Sequence, residues 1–394
     1  MASHAAEATA TRAAGRDVVV IQDSSELVLG GRKARRNGYG PVGKGGVVSG
    51  LLLHAVLALE ASSGALFGLV DADVKNRYGK RPKHRRSRKT ADKESQRWID
   101  GTARAAEVLA SARSITGVSD RESDIFEHLA SPPAGMHLIV RASQNRHIKT
   151  PDGGAGSLFP FADSLPEQGR FMAAIPAAPG RKARLAQLAI RFSAVEVCKP
   201  RHGVRNLPGS IVITLVDVRE TSKPDDSEPI HWRLLTTHTV TTLEEVRKVV
   251  DLYRLRWRIE EYFRTLKTAG FNIEEANISD PCAMTNFVAA VAIAGVTVMQ
   301  LVQARDGTTA QSIADAFDPA DQPLFESLST KLEGKTARQK NPHPKGSLAF
   351  AAWVMGRLGG WTGYYGKPGP LVMRRGLDDF QRIKYGATLR LPNV

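Results

Sequence analysis

Cysteine is almost absent from this chain. Cys198 and Cys282 are the only two in 394 residues, too few for a disulfide framework or a four-ligand zinc site. Nor is any apolar run long enough to read as a membrane span. The longest, Phe287 to Val302, contains Gly295, Thr297 and Gln300 and reads as a buried core helix. The opening residues (MASHAAEATATRAAG) lack the apolar stretch of a secretory signal. These absences set the expectation of a reducing, cytoplasmic setting with no membrane partner. Acidic residues are also short, 40 against 55 Lys and Arg, which leaves a net charge of +15. Such an excess calls for a polyanionic partner, and nucleic acid is the first candidate. The glycine-rich stretch 30–46 (GGRKARRNGYGPVGKGG) lacks the lysine-serine ending of a phosphate-binding P-loop, so it is not read as a nucleotide site.

What is present reads as an α/β chain. Residues 1–16 are rich in Ala and Thr and are expected to be disordered. Val18 to Gln22 (VVVIQ) is an apolar run of strand length that leads directly into Asp23. Taken alone, that aspartate more often caps a turn than does chemistry, although open α/β sheets place chemistry at such strand ends. Gly50 to Glu60 and Ala65 to Val74 read as two strands joined at Ser62-Ser63-Gly64, giving an antiparallel meander with the first. Nine Lys and Arg fall within Lys75 to Lys89, a density that fits both a solvated loop and a contact with phosphates. A helical pattern over Lys93 to Ser111 follows, then a short strand from Ser114 to Ser119 that ends at Asp120. Arg121 to Ala130 and Met136 to Arg141 complete a strand–helix–strand unit. From about 149 to 240, short alternating strands separated by Pro/Gly clusters suggest a β-rich insertion.

The densest signal is Tyr253 to Gly270 (YRLRWRIEEYFRTLKTAG), part of one long helix expected over 243–268. At about 100° per residue, Tyr253, Arg256, Glu260 and Lys267 fall within about 60° of one another. They run beside an apolar stripe of Leu252, Leu255, Ile259, Phe263 and Leu266. Glu261 points elsewhere. An i,i+4 pair such as Arg256–Glu260 is more often surface decoration than a site. Three carboxylates from separate elements, Asp23, Asp120 and Glu260, can nevertheless bind two divalent ions about 4 Å apart.

At these residues the chain resembles the DDE transposases of bacterial insertion sequences that carry a Y-R-E-K signature. Tyr253, Arg256, Glu260 and Lys267 meet all four spacings of that signature, and the segments around Asp23 (IQDSS) and Asp120 (DRESDI) resemble the two aspartate motifs. Similarity continues through Lys93 to Trp98, Ile139 to Ser143, WRLLT and Arg357 to Trp361. The resemblance implies a ribonuclease H-like mixed-sheet core (17–148 and 241–305), interrupted by the β-rich insertion (149–240). A C-terminal helical region (306–394) suited to dimerisation would follow. It implies metal-dependent cleavage of double-stranded DNA at transposon ends and strand transfer into target DNA, by a homodimer associated with the nucleoid.

On that resemblance Asp23, Asp120 and Glu260 are expected to be catalytic and to hold two Mg2+ ions, for which Mn2+ can substitute. Tyr253, Arg256 and Lys267 are expected to contact phosphates, together with Arg141 and with Lys83, Arg85 and Arg86 of the basic loop. Trp232 lies 21 residues before Tyr253, where similar transposases place an aromatic that stacks on a flipped base. A buried core tryptophan is the competing reading. The family usually has an N-terminal reader of the transposon end ahead of the first aspartate. With 22 residues before Asp23, the alternative expectation is a non-catalytic DNA-binding regulator or inhibitor of transposition.

Overall fold

The Ala-rich N-terminus is a docked helix rather than the disordered segment expected. In the computed structural model, which describes all residues except 1, 30–36, 78–93, 176–181, 202–205, 223, 225–226 and 390–394, α1 spans Ala2–Ala13. Thr9 Oγ1 donates to the carbonyl of Leu69 at 3.0 Å and Arg12 Nη1 to that of Phe67 at 2.9 Å. Both anchors lie far away in sequence, which is why composition alone concealed them.

After α1, four strands precede an alternation of helix and strand: β1 (Asp17–Val28), β2 (Gly40–Val42), β3 (Val48–Glu60), β4 (Leu66–Lys75), α2 (Gln96–Val108), β5 (Ser114–Ser119), α3 (Phe126–Ala130) and β6 (Met136–Arg141). β1, β3 and β4 form the expected antiparallel meander, while β5 pairs parallel to β1 and β6 parallel to β5. The insertion supplies β7 (His147–Lys149), β8 (Ala155–Ser157), α4 (Leu158–Ser164), β9 (Gly169–Ile175), β10 (Arg184–Cys198), β11 (Ser210–Glu220) and β12 (His231–Thr236). Its strands do not form a separate sheet. β12 pairs with β6 at Leu235–Val140, so the order runs β2-β3-β1-β5-β6-β12-β11-β10-β7-β8, with β4 on β3 and β9 on β10.

Helices dominate the remainder: α5 (Leu243–Arg254), α6 (Trp257–Arg264), α7 (Pro281–Ala304), α8 (Gln322–Leu332), α9 (Leu348–Leu358) and α10 (Pro370–Thr388). α7 has the length and hydropathy of a membrane span. Here its Met284, Val288 and Ala292 are buried in one core with α5 and α6.

Strand alternation divides the interior into two cores. Val19 and Ile21 of β1 pack with α5, α6 and α7, whereas Val18 and Val20 pack with Ala105, Leu109, Phe126 and Leu129 on the α2–α3 side. That parity fixes the chemistry downstream on β1. Asp23 follows Ile21 toward α6, and Gln22 and Ser24 follow Val20 toward α2. A third core joins α8, α9 and α10 to the end of α7.

α9 and α10 touch backbone to backbone at Gly376, where a Cβ would stand 1.9 Å from the carbonyl oxygen of Met355. Gly376→Ala should therefore destabilise the protein by about 1–3 kcal/mol in urea unfolding. Helix propensity alone predicts a gain of about 1 kcal/mol, so increased stability would contradict this packing.

Candidate active site

The signature segment is built from three short pieces rather than one long helix. α5 begins at a capping box: Thr242 Oγ1 accepts from the Glu245 N–H at 3.3 Å, and Glu245 Oε2 accepts from the Thr242 N–H at 3.0 Å. The Thr241 and Thr242 N–H groups, both donating to this carboxylate, hold it down at about 2. The helix tightens at its end, where Leu255 and Arg256 donate to carbonyls three residues back. α6 then carries Glu260, and Thr265–Ala269 widens into a π-helical turn. No proline or glycine marks either change, so the sequence pattern could not show them.

Arg256 stands at the junction of α5 and α6 with 5% of its surface exposed, and the three carboxylates converge on it. Nη2 is 2.8 Å from Glu260 Oε1, while Nη1 is 3.7 Å from Asp23 Oδ2 and 4.0 Å from Asp120 Oδ2. Asp23 is not at a strand end as expected. β1 continues to Val28 against β3, and Asp23 pairs with Ala55. What stops near it is the pairing with β5, at Ile21–Val118. Asp120 lies just beyond the end of β5. Both aspartates therefore sit where β1 and β5 part.

Burial pushes the Asp23 carboxyl up to about 6, against the Ser24 N–H and Arg256 that favour its charge, and Asp120 and Glu122 add to the rise. Burial also raises the Tyr253 phenol. Asp120 Oδ1, Tyr253 Oη and Arg256 Nε are buried without a hydrogen-bond partner. Such orphaned atoms are costly unless something else engages them.

The donor set is that of a hard divalent cation: three carboxylates from three elements, one with a buried oxygen left unpaired. Among the described residues, no group of three or more His, Cys, Asp or Glu side chains is drawn together as a ready metal cage. The centre is held by the Arg256 guanidinium. The three carboxylates would suit a cation by their chemistry, and here Arg256 is their shared counter-charge.

The other expected residues are distributed around this centre. Lys267 Nζ donates to the Glu26 carbonyl at 2.8 Å and pairs with Glu274 at 3.1 Å, so it fastens the π-turn to β1. Arg141 donates to the His231 carbonyl at 3.1 Å, close enough to Tyr253 for its charge to favour the phenolate. Trp232 is 5% exposed and meets Tyr253 edge to face at 5.5 Å. It is a core residue with one edge on a cavity of about 400 Å³ that Trp257, Leu255, Arg254, Arg258 and Ser63 also line. Glu261 faces that cavity and pairs with Arg258 at 2.8 Å. Lys83, Arg85 and Arg86 lie outside the described residues.

Two residues without a sequence-level role also border the site: Trp257 lines the cavity and Arg97 bonds to Ser24. Trp257 directly follows the signature arginine, which could have marked it. Arg97 lies inside the Lys93–Trp98 similarity, but nothing in its spacing gave it a role. A family model described as the transposase DDE domain matches residues 16–295 of this chain.

The folded-state rise at Asp23 has a testable sign. Below about pH 4 the carboxyl is protonated both folded and unfolded, and it contributes nothing to pH-dependent stability. Between about 4 and 6 the unfolded chain ionises first, so stability falls as pH rises. Asp23→Asn should therefore be more stable than the wild type at pH 7 in EDTA, by about 1–3 kcal/mol, with the advantage vanishing near pH 4. Thermal unfolding across that range checks it, and equal stability at pH 7 would contradict it.

Proposed function

The chain belongs to the transposase DDE-domain family, and from that premise we propose that it is a metal-dependent DNA strand-cleaving and strand-transferring transposase of the Y-R-E-K insertion-sequence group. The observation that carries this reading is the convergence of Asp23, Asp120 and Glu260, from β1, the end of β5 and α6, on one buried guanidinium. The ribonuclease H-like reading of the core is supported by the order β4-β3-β1-β5-β6, antiparallel up to β1 and parallel beyond it.

In this reading Asp23, Asp120 and Glu260 would hold two divalent ions, Mg2+ or Mn2+. When bound, such ions polarise the phosphate and lower the pKa of an attacking water. The protein's own part is to bring a phosphodiester to a centre lined with negative charge. Arg256 is suited to that task because its fork can exchange carboxylate partners for phosphate oxygens. The buried Tyr253 hydroxyl has a proton to donate and no partner in the protein to receive it. Lys267 adds positive charge where β1 meets the π-turn. The cavity is lined by Trp232 and Trp257 and by the ion pairs Arg254–Asp251 and Arg258–Glu261, and its two indoles suit stacking on a base turned out of the duplex. The partners are double-stranded DNA and a second copy of the chain.

Nicking of a supercoiled plasmid carrying transposon ends, with Mg2+ or Mn2+, tests the reaction. Glu260→Gln should lower the rate about a hundredfold or more, while DNA binding in EDTA is retained. DNA binding by the wild type with no nicking under either metal would instead identify a non-catalytic regulator. Trp232→Ala removes stacking worth about 1–3 kcal/mol per base, so hairpin formation at the cut end should fall more than first-strand nicking. Equal losses would contradict the stacking role.

A further inference from the structure

Behind the two aspartates, on the α2 side of the sheet, lies a chain of polar groups that the reaction chemistry does not use. Its hub is Arg97, which is 7% exposed. Arg97 Nε donates to Ser24 Oγ at 2.7 Å, Nη2 to Glu122 Oε2 at 2.7 Å and Nη1 to the Glu94 carbonyl at 2.8 Å. One guanidinium therefore joins the residue beside Asp23 to the residue two beyond Asp120.

The chain continues inward. Ser24 Oγ is 2.9 Å from His54 Nδ1, and His54 Nε2 is 3.2 Å from Gln22 Oε1. Gln22 Nε2 donates to Thr102 Oγ1 at 2.9 Å, which lies 2.8 Å from His128 Nε2. Burial holds His54 down at about 3 and His128 at about 4, so both rings are neutral and bridge by hydrogen bonding. The helix presses tightly here: a Cβ at Gly101 would stand 2.6 Å from Gln22 Oε1.

Position gives this link its meaning. The β1–β5 ladder ends at Ile21–Val118, so no strand pairing between β1 and β5 spans the point where Asp23 and Asp120 stand. Arg97 crosses that gap from the far face. We propose that Arg97 is a positioning residue that sets the separation of Asp23 and Asp120, and with it their capacity to share a divalent cation. The proposal rests on the reading above of those aspartates as cation ligands.

Simple electrostatics predicts the opposite of this proposal. Removing a positive charge near a cation site should tighten cation binding, whereas loss of a positioning residue should weaken it. Mn2+ titration of the full-length chain, with free Mn2+ followed by electron paramagnetic resonance, reads the sign directly. Arg97→Gln should weaken Mn2+ binding about tenfold or more, the scale typical of groups that orient metal ligands. Ser24→Ala, which removes the Arg97 Nε acceptor without changing charge, should weaken it in the same direction. Thermal unfolding accompanies each titration, and if Arg97→Gln fails to fold, Ser24→Ala carries the test. Unchanged or tighter Mn2+ binding in a folded variant overturns the proposal. Unchanged binding in Asp120→Asn as well would overturn both the proposal and the reading beneath it, because there would be no cation site to position.

Discussion

Charge balance around Arg256 is the constraint on which the rest of the site depends. Three carboxylates approach one buried guanidinium, and a single positive charge cannot satisfy all three. Burial adds to the strain: it pushes the Asp23 carboxyl up to about 6, with Asp120 and Glu122 contributing, and an oxygen of Asp120 is buried without a partner. Concentrations of unmet charge of this kind cost stability and recur where a protein does chemistry. Under the proposed function, such a site would favour cations over bare phosphate. In that proposal Arg256 and Arg141, with the net charge of +15, would offset the repulsion of phosphate.

The architecture delivers that imbalance through parity and termination. β1 alternates, so Asp23 emerges toward α6 while its neighbours Gln22 and Ser24 are fixed by hydrogen bonds on the opposite face. β5 stops just before Asp120 and leaves its side chain beyond the ladder. α6 brings Glu260 in beside them because Ile259, Tyr262 and Phe263 are buried in the core on its inner side. The insertion does more than decorate this frame. By pairing β12 to β6 it extends the same sheet and sets Trp232 against Tyr253.

Much of this was legible in the residues, and what was not had physical reasons. The spacing of Tyr253, Arg256, Glu260 and Lys267 is local, and helical periodicity places the first three on one side whether or not the helix is continuous. The tightening at Leu255–Arg256 and the π-turn at Thr265–Ala269 have no glycine or proline to announce them, and they direct Lys267 to the end of β1. Asp23 reads like a strand terminus because the polar residues Ser24, Ser25 and Glu26 follow it. Those residues remain in strand because β3 is long enough to pair with them as far as Val28. α1 was hidden because its anchors, at Phe67 and Leu69, are reached only after folding. Arg97 was hidden for the same reason, since its partners lie 73 and 25 residues away.

The central claim is that Asp23, Asp120 and Glu260 form a cation site for which Arg256 is the present counter-charge. Anomalous scattering from a crystal of the full-length chain soaked in Mn2+ tests it most directly. The account predicts manganese bound by carboxylate oxygens of this trio, with the Arg256 guanidinium moved off the centre. Crystals that take up manganese only elsewhere, with Arg256 still seated among the three carboxylates, would contradict it.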